Sequence, residues 1–400
     1  MRILIITQYF WPESFCINDI CLGLKERGYD VVVLTGKPNY PKGKFYDGYS
    51  FNSTDKENWN GIEIYRSRLI PRGKGGGILL FLNYISFALF ASLNVFLVKG
   101  KFDRIFVYEP SPITVGIPAI IANIKFKAPI YFWVQDLWPE SISAAGGIKN
   151  KFILSILDAL TRFIYKRAEI ILVQSLAFKP YINVQNVDNE KIIYFPNSTE
   201  GHYQVLVKDP EVEKKLPRGF NLIFAGNIGE AQSFDTLLDA AFLLKNENIF
   251  VNWIILGDGR AKEYVKRKIV DLHLESNFIL SGSFPSTDMP HFFSCADVLI
   301  VSLKKDRIFS FTIPAKLQSY LACGKPIIGS LDGEGARIIS EANAGFSAQS
   351  ENHVALADCV RKMYHLSEEE RKLLGRNARD YFEKEFERES LLNKLELILS

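Results

Sequence analysis

Two carboxylates lie close together in the chain, directly after an apolar run. The run Ile130–Val134 is followed by Gln-Asp-Leu-Trp-Pro-Glu-Ser at 135–141, which places Asp136 and Glu140 on either side of Trp138. A carboxylate at the end of a strand can act as a base or hold a sugar hydroxyl. We therefore predict that Asp136 and Glu140 act in catalysis. The structural alternative is that Asp136 caps a helix and Glu140 lies in its first turn.

A lysine at the predicted start of a helix is the candidate for handling negative charge. Lys316 stands at the beginning of the segment Ala315–Cys323, where a cation opposes the helix dipole. A cation there would neutralise a diphosphate leaving group, and we predict that role for Lys316. A charged stretch at 304–307 follows the apolar run Val298–Val301. For its two lysines a solvated loop is the simpler interpretation.

Three glycine-containing turns follow other apolar runs, at 226–229, 257–260 and 332–336. Glycine lets backbone amides approach an anion, and a nearby helix N-terminus favours negative charge. In the third turn Gly333 and Gly335 flank one carboxylate, which suits a polar ligand. Each turn is a weak signal by itself, because an ordinary tight turn has the same composition.

The loop after the first apolar run, Trp11–Asn18, contains no glycine, and the first one downstream is Gly23. A nicotinamide or flavin enzyme would need a glycine-rich loop at this point, so we expect no such cofactor. No Asp-x-Asp triplet and no zinc-type spacing occurs, so we expect no metal either. An ordinary strand-to-helix loop is about as well supported as a functional one.

The candidate residues follow short apolar runs that alternate with helix-length segments. Continuous apolar runs are typical of strands that are covered on both faces, and their alternation with helices indicates parallel sheets. We predict an α/β fold with two doubly wound, Rossmann-like domains that face each other across a cleft. The predicted strands are Ile3–Ile6, Val31–Leu34, Ile105–Val107, Ile130–Val134, Ile170–Val173 and Ile192–Phe195, then Leu222–Ala225, Trp253–Leu256, Phe278–Leu280, Val298–Val301 and Pro326–Ile328.

The polar segment Ser198–Arg218 carries two prolines and no strong periodicity, which indicates a boundary between domains. We predict an N-terminal domain at 1–198, a C-terminal domain at 199–378 and a C-terminal helix at 379–400.

Composition narrows the class of protein further. The chain has 400 residues, of which 48% are hydrophobic and 23% charged, and it has five cysteines without paired spacing. These values exclude a disordered chain and favour a reducing compartment over a disulfide scaffold. Residues 1–200 carry 23 Lys and Arg against 17 Asp and Glu, an excess too diffuse for a nucleic-acid domain. Residues 1–7 run into polar and aromatic residues without a cleavage-type pattern, so we expect no signal peptide.

One segment, 78–98, is 21 residues long and has no formal charge. It is long enough to span a bilayer. Three interpretations stay open: a helix that lies in the membrane interface with basic flanks, which we favour, a helix buried in the first domain, and a spanning helix. A spanning helix would put parts of one sheet on opposite sides of the membrane.

Several motifs together resemble a known family. They are Trp11-Pro12-Glu13, Asp136-Leu137-Trp138-Pro139-Glu140, Phe195-Pro196-Asn197, Phe224-Ala225-Gly226-Asn227, Leu256-Gly257-Asp258-Gly259, and Leu321-Ala322-Cys323-Gly324-Lys325-Pro326. The sequence is similar to the retaining GT-B glycosyltransferases of the large family numbered four. Within that family it looks like the O-antigen and capsule transferases, and most like the L-fucosamine (L-FucNAc) transferases.

The resemblance implies a UDP-sugar donor on the second domain and an undecaprenyl diphosphate-linked saccharide acceptor on the first. It also implies retention of anomeric configuration without an enzyme nucleophile, a C-terminal helix that returns to the first domain, and a location on the inner face of the bacterial plasma membrane. With it, the expected donor-binding residues are Gly226, Asn227, Gln232, Gly257, Arg260, Phe284, Arg307, Ser319, Gly333, Glu334 and Gly335. The expected acceptor-side residues are Glu13, Ser14, Phe15 and Trp138.

The sequence departs from the family pattern at four polar donor contacts. Phe311 and Ser319 stand where the family has two glutamates, and Asn227 and Gln232 stand where it has Arg and Lys. Our hypothesis is that Lys316, with Arg307, supplies the lost positive charge. Two other functions stay open, a non-catalytic scaffold of polysaccharide assembly and a UDP-sugar 2-epimerase.

Overall fold

The computed structural model describes residues 1–73, 77–140, 150–185 and 187–400. Two residues of the sequence analysis lie outside the described residues. They are Ser141, the last residue of the 135–141 motif, and Lys74, which lies in the basic flank of the 78–98 segment. The chain forms two compact units, one of residues 1–197 with 392–400 and one of residues 198–391.

Unit 1 is built on an eight-stranded sheet in the order β3-β4-β2-β1-β5-β6-β7-β8, in which only the β3–β4 pair is antiparallel. Its central strands are wholly apolar because helices cover both faces. The strands are β1 Arg2–Ile6, β2 Asp30–Gly36, β3 Lys56–Trp59, β4 Ile62–Ser67, β5 Arg104–Glu109, β6 Ile130–Val134, β7 Ile170–Val173 and β8 Ile192–Tyr194. The helices are α1 Cys16–Glu26, α2 Gly77–Asn94, α3 Gly116–Phe126, α4 Lys151–Arg167 and α5 Lys179–Asn183.

Unit 2 is built on an all-parallel sheet of six strands in the order β11-β10-β9-β12-β13-β14. The strands are β9 Phe220–Ala225, β10 Val251–Leu256, β11 Phe278–Gly282, β12 Val298–Ser302, β13 Ile327–Ser330 and β14 Gly345–Ala348. The helices are α6 Pro210–Glu213, α7 Phe234–Asn246, α8 Lys262–Asp271, α9 Met289–Ser294, α10 Arg307–Phe311, α11 Ala315–Ala322, α12 Glu334–Glu341, α13 His353–His365 and α14 Glu368–Glu385. The last helix, α15 Arg388–Leu399, begins in unit 2 and continues into unit 1.

The predicted α/β class and the two doubly wound units are confirmed. Three strands were not predicted. The hairpin β3–β4 turns through Asn60 and Gly61, both with positive φ, and only one face of β3 is half-buried. Its polar residues therefore interrupt the apolar pattern on which the prediction rested. The edge strand β14 is four residues long and mixes glycine, serine and apolar residues.

The C-terminal segment contains parts of two helices. Residues 379–400 do not form one helix, because α14 ends at Glu385 and α15 begins at Arg388. Residues 392–400 pack within unit 1, where the Arg27 guanidinium donates to Asn393 and Glu396 at 2.7 and 2.5 Å. The Arg104 Nε donates to the Leu399 carbonyl at 2.9 Å.

Helix α2 is mixed on its inner face and apolar on its outer face. Its buried residues are Asn83, Ser86, Phe87, Ala88, Ala91 and Ser92, and Asn83 accepts from Gln8 Nε2 at 2.6 Å. The exposed side chains of α2 are Ile78, Leu79, Phe81, Leu82, Ile85, Leu89 and Leu93. By length and composition 77–97 could cross a membrane. The structure leaves the outer face of α2 exposed, which differs from a helix enclosed in the core.

The helices α2, α3 and α4 lie on one face of the unit 1 sheet. Each of them connects strands in the same direction along the sheet order, from β4 to β5, β5 to β6 and β6 to β7. Because such crossovers are right-handed, helices that advance the same way lie on the same face. Helix α1 connects β1 to β2 in the opposite direction and lies on the other face.

Candidate functional site

A cavity of about 310 Å³ lies in unit 2, where β9 and β10 end. The residues around it come from the turns after these two strands, from the segment after β11 and from α11. This is the edge at which parallel α/β sheets bind ligands. Six of the predicted residues line it, namely Gly226, Asn227, Gly257, Phe284, Lys316 and Ser319.

The glycines allow the turns after β9 and β10 to touch each other. A Cβ on Gly257 would lie 1.8 Å from the carbonyl oxygen of Gly226, so a side chain there is excluded. The amides of Gly226 and Ile228 donate to the carbonyls of Leu256 and Asp258 at 2.9 and 2.8 Å. Because these two amides are already paired, they are not the anion-binding groups that the motif alone indicated. The glycines instead keep the floor of the cavity open.

Lys316 provides the positive charge of this cavity. Its Nζ donates to Gln232 Oε1 at 2.5 Å and lies 4.0 Å from the centre of the Phe224 ring. In the part of the chain that the structure describes, no ion pair joins Lys316 to a carboxylate. A Cβ on Gly226 would come within 3.0 Å of Nζ, so the missing side chain leaves room beside the cation. Burial lowers the pKa of Lys316 to about 7.

The remaining wall of the cavity is hydroxyl and aromatic. Ser319 and Thr199 share a hydrogen bond of 3.0 Å between their hydroxyls. Phe284 is partly exposed and packs on Phe292, with ring centres 4.5 Å apart. An exposed ring beside a cation is a combination that suits a base and a phosphate.

Other predicted donor residues are not brought to this cavity. Arg260 and Arg307 are exposed, and the Arg307 guanidinium lies over the Phe311 ring at 5.5 Å. Glu334 is buried and pairs with Arg337 through both of its oxygens at 3.0 Å. Gly333 and Gly335 pack against the Ser310 carbonyl and the Leu331 side chain. Among the described residues, none of these five lines the cavity, whereas Gln232 reaches it through Lys316.

The carboxyl ends of β5 and β6 in unit 1 hold a second cluster, which is acidic. Burial raises the pKa of Asp136 to about 6. Trp138 is buried, and its ring meets that of Tyr84 edge-on at 6.2 Å. Glu140 is half-buried and is the last described residue before 150.

Sequence reasoning missed Glu109, the last residue of β5. Its side chain is fully buried, and the backbone amides of Asp136 and Gln135 are close enough to its carboxylate to lower the pKa. Burial and the nearby Asp136 charge hold the pKa of Glu109 well above its ordinary value. The signal available in the sequence was a glutamate that directly ends an apolar strand.

Glu13 holds the loop after β1 through hydrogen bonds to backbone amides. Its Oε1 accepts from the amides of Asn39 and Tyr40 at 2.7 Å each, and its Oε2 accepts from the Phe10 amide at 3.3 Å. Burial raises the pKa of Glu13 to about 7, although these amides lower it. Phe15 stacks on Tyr9 with ring centres 5.2 Å apart.

Ser14, beside these two residues, is exposed. The structure therefore presents Ser14 and Phe15 to the surroundings and turns Glu13 inward. Among the described residues, no group of three or more His, Cys, Asp or Glu side chains could hold a metal ion.

Comparison with known proteins matches both units. Residues 14–198 match the family model "Glycosyl transferase 4-like domain", and residues 208–381 match "Glycosyl transferases group 1". The Pseudomonas aeruginosa protein named "Probable glycosyltransferase WbjE" is 24% identical over 321 residues, which are 78% of this chain and 77% of that protein. The Escherichia coli K12 protein WcaI, named as a colanic acid biosynthesis glycosyl transferase, is 23% identical over 339 residues, 81% and 82% of the two chains.

The fold has a solved counterpart. The Anabaena protein HepE, crystallised with UDP, superposes with a TM-score of 0.68 at 14% identity, over 100% of this chain and 99% of that one. At this identity the likeness concerns the fold alone, and it confirms the GT-B architecture.

Proposed function

Since the chain is a glycosyltransferase built from a glycosyl transferase 4-like unit and a group 1 unit, we propose that it transfers an N-acetyl-deoxyhexose, L-FucNAc, from UDP to a saccharide on undecaprenyl diphosphate. The transfer retains anomeric configuration and serves O-antigen or capsule biosynthesis. It takes place at the inner face of the plasma membrane. No metal or dissociable cofactor takes part.

The observation that carries this proposal is Lys316 beside the glycine-floored cavity of unit 2. An ammonium group that is held by a neutral amide and a ring, with its pKa lowered by burial to about 7, is stabilised by an incoming anion. A diphosphate supplies that anion, and the exposed ring of Phe284 suits a base. The UDP bound by HepE supports uridine diphosphate as the donor nucleotide.

The chemistry requires no enzyme nucleophile. The acceptor hydroxyl attacks the anomeric carbon on the face that the diphosphate leaves, and the leaving phosphate oxygen takes the hydroxyl proton. Lys316 stabilises the charge that develops on the diphosphate, and Asp136 orients a sugar hydroxyl as a hydrogen-bond acceptor.

The polarity of α2 supports the membrane location. A surface helix of a soluble protein normally turns its apolar side inward, whereas α2 exposes it. Residues 68–102 contain five Lys and Arg and no Asp or Glu, which favours anionic headgroups. On the same face of the sheet α4 exposes Phe152 and Ile156. We propose that this face lies in the membrane interface without spanning it.

A transfer assay tests the enzymatic part. The protein is incubated with a panel of UDP-sugars and a short-chain polyprenyl diphosphate-GlcNAc, and the product is analysed by mass spectrometry. We expect one added N-acetyl-deoxyhexose without added metal. UDP binding without transfer to this acceptor contradicts the proposed acceptor, and a chain that binds no nucleotide behaves as a scaffold.

A vesicle assay tests the membrane part. Replacing Leu79, Phe81 and Leu89 with serine is expected to abolish sedimentation with phosphatidylglycerol vesicles and to keep the thermal transition. The matched control replaces three exposed apolar residues of unit 2, Val207, Phe250 and Val270, with serine. An equal loss of vesicle binding in both variants would contradict a specific role for α2.

A further inference from the structure

Arg72 lies between the apolar helix α2 and the aromatic loop after β1. Its Nη1 is 3.5 Å from the Tyr9 hydroxyl, and its guanidinium carbon is 4.8 Å from the centre of the Tyr40 ring. Arg72 is half-buried. In the part of the chain that the structure describes, no carboxylate forms an ion pair with it, and the two contacts given above are to aromatic side chains.

A buried network of amides holds the segment that carries Arg72. The Arg72 amide donates to Asn39 Oδ1 at 3.1 Å, and Asn83 Nδ2 donates to the Ile70 carbonyl at 2.7 Å. The Ile70 amide donates to Ser86 Oγ at 2.9 Å. Asn83 and Ser86 are two of the buried polar residues of α2. Buried hydrogen bonds of this kind favour one arrangement, so these bonds hold the backbone of Arg72 relative to the apolar helix.

Among the described residues, neither Glu13 nor Asp136 forms an ion pair with Arg72. Both oxygens of Glu13 accept backbone amides, as described above. The charge of Arg72 lowers the pKa of Tyr84, and the charges of Asp136 and Glu109 raise it. Arg72 and the acidic cluster at the ends of β5 and β6 are therefore both near the Tyr84 hydroxyl.

The order of these groups matches the order of parts in a lipid-linked saccharide. Such a molecule has an apolar tail, then a diphosphate, then a sugar. Unit 1 presents the exposed apolar face of α2, then Arg72, then Asp136 with the rings of Tyr84 and Trp138. A guanidinium binds phosphate oxygens through several N–H donors at once, and it does so most strongly where it is partly desolvated.

We propose that Arg72 binds the diphosphate of the lipid-linked acceptor. This inference rests on the proposed function, because it assumes that the acceptor is carried on a diphosphate. Arg72 positions the acceptor and contacts no reacting atom, so its loss weakens acceptor binding more than turnover.

The test compares two soluble acceptor analogues with one saccharide, linked to a short alkyl chain through a diphosphate or through a monophosphate. Isothermal titration gives the Kd of each analogue, and the transfer assay gives KM and kcat. We expect wild type to prefer the diphosphate analogue about 10–100-fold, since a charge-assisted bond to phosphate has this magnitude. Arg72→Gln should abolish most of that preference, raise KM and leave kcat within about threefold.

Two variants serve as controls. Arg68→Gln removes a cation from the same segment whose guanidinium lies over the Phe51 ring at 5.6 Å, and it should keep the preference. Arg72→Lys keeps the charge without the planar fork and should restore part of the preference. An unchanged thermal transition in each variant shows that the fold is kept.

Three results would overturn the inference. Arg72→Gln with an unchanged preference shows that the diphosphate lies elsewhere. Loss of phosphatidylglycerol vesicle binding in Arg72→Gln, with unchanged binding of the soluble analogues, assigns Arg72 to a lipid headgroup. Failure of wild type to bind either analogue removes the proposed acceptor itself, and so is distinguishable from a failure of Arg72 alone.

Discussion

The two units carry opposite charges at the carboxyl ends of their parallel sheets. In unit 2 the buried charge is the ammonium group of Lys316, and burial lowers its pKa to about 7. In unit 1 the buried groups are carboxylates. Burial raises the pKa of Asp136 to about 6, and burial with the nearby Asp136 charge holds the pKa of Glu109 well above its ordinary value. The same physical cause, loss of solvation, therefore moves both groups toward their neutral forms.

We propose that this difference places the two substrates on different units. Burial lowers the pKa of Lys316 to about 7, and an incoming diphosphate would favour its charged form, which suits an anion in unit 2. A carboxylate accepts hydroxyl hydrogen bonds and repels an anion, so the acidic cluster of unit 1 suits a neutral sugar. In this proposal Arg72 binds the anionic part of the acceptor.

The largest effect on activity is expected from removing the acidic group of unit 1. Asp136→Asn should lower kcat/KM for the acceptor about 10²-fold, the cost of a misplaced reacting group, because the sugar hydroxyl loses the acceptor that orients it. Wild-type activity should decrease as the pH is lowered below about 6, because Asp136 becomes protonated there. The activity of the variant should not show this decrease. Steady-state kinetics between pH 5 and 8 measure both effects.

The control for this prediction is Asp158→Asn in α4. Its carboxylate is half-buried, pairs with Arg162 at 2.7 Å and accepts from Gln185 Nε2 at 2.7 Å. An asparagine keeps an acceptor oxygen for Gln185, so activity should stay within about twofold of wild type. An Asp136→Asn variant that kept full activity and the same acid limb would contradict a functional carboxylate here.

The second prediction concerns the positive group of unit 2. The protonated form of Lys316 binds the donor, and its pKa in the free protein is about 7. Donor affinity should therefore fall as pH rises above 7, by at most about tenfold per pH unit, and binding at pH 8 should take up a proton. Calorimetry with a UDP-sugar in buffers of different ionisation enthalpy measures both quantities.

Lys316→Ala tests whether this residue is the cause. The variant should bind the donor about 10–100-fold more weakly, the magnitude of a charge-assisted hydrogen bond, and without the pH dependence above 7. The control is Lys304→Ala, because Lys304 is also cationic but pairs with Glu230 at 2.7 Å and should not affect binding. A retained pH dependence in Lys316→Ala would assign the proton to another group.

The contrast between units also shows what the sequence could predict. The central strands were predictable because continuous apolar runs reflect burial on both faces. Lys316 was predictable because a lysine at a helix start contradicts the local dipole preference. Both signals are local, and neither depends on which residues meet in space.

The parts that were not predicted depend on long-range packing. Arg260 and Arg307 follow strands, as site residues should, but they are exposed, and nothing local distinguishes them from Lys316. Glu109 is buried because β5 lies between β1 and β6 and helices cover the sheet. The inward orientation of Asn83 and Ser86 required the helix to be placed on its sheet.

The smallest expected effect is on the pH dependence of stability and concerns Glu109 in unit 1. The pKa of Glu109 is higher in the folded state than in the unfolded state, so the folded state retains a proton that the unfolded state releases. Its contribution to stability is therefore complete at acidic pH and is lost as pH rises above the unfolded pKa. Glu109→Gln should remove this decrease in stability with rising pH. In wild type the decrease is at most about 3–6 °C in Tm for each step of one in pH, for a folded unit of this size.

Thermal unfolding between pH 3 and 8 measures the effect, with Glu63→Gln as the control of opposite sign, whose change falls below about pH 5. Lys56 lowers the pKa of Glu63, so its contribution is present above the unfolded pKa and is lost as pH falls. A Glu109→Gln chain with the pH dependence of wild type would mean that the buried carboxyl is ionised in the folded state. The acidic cluster of unit 1 would then carry two negative charges beside the sugar, and Asp136 could no longer be treated as its single acceptor.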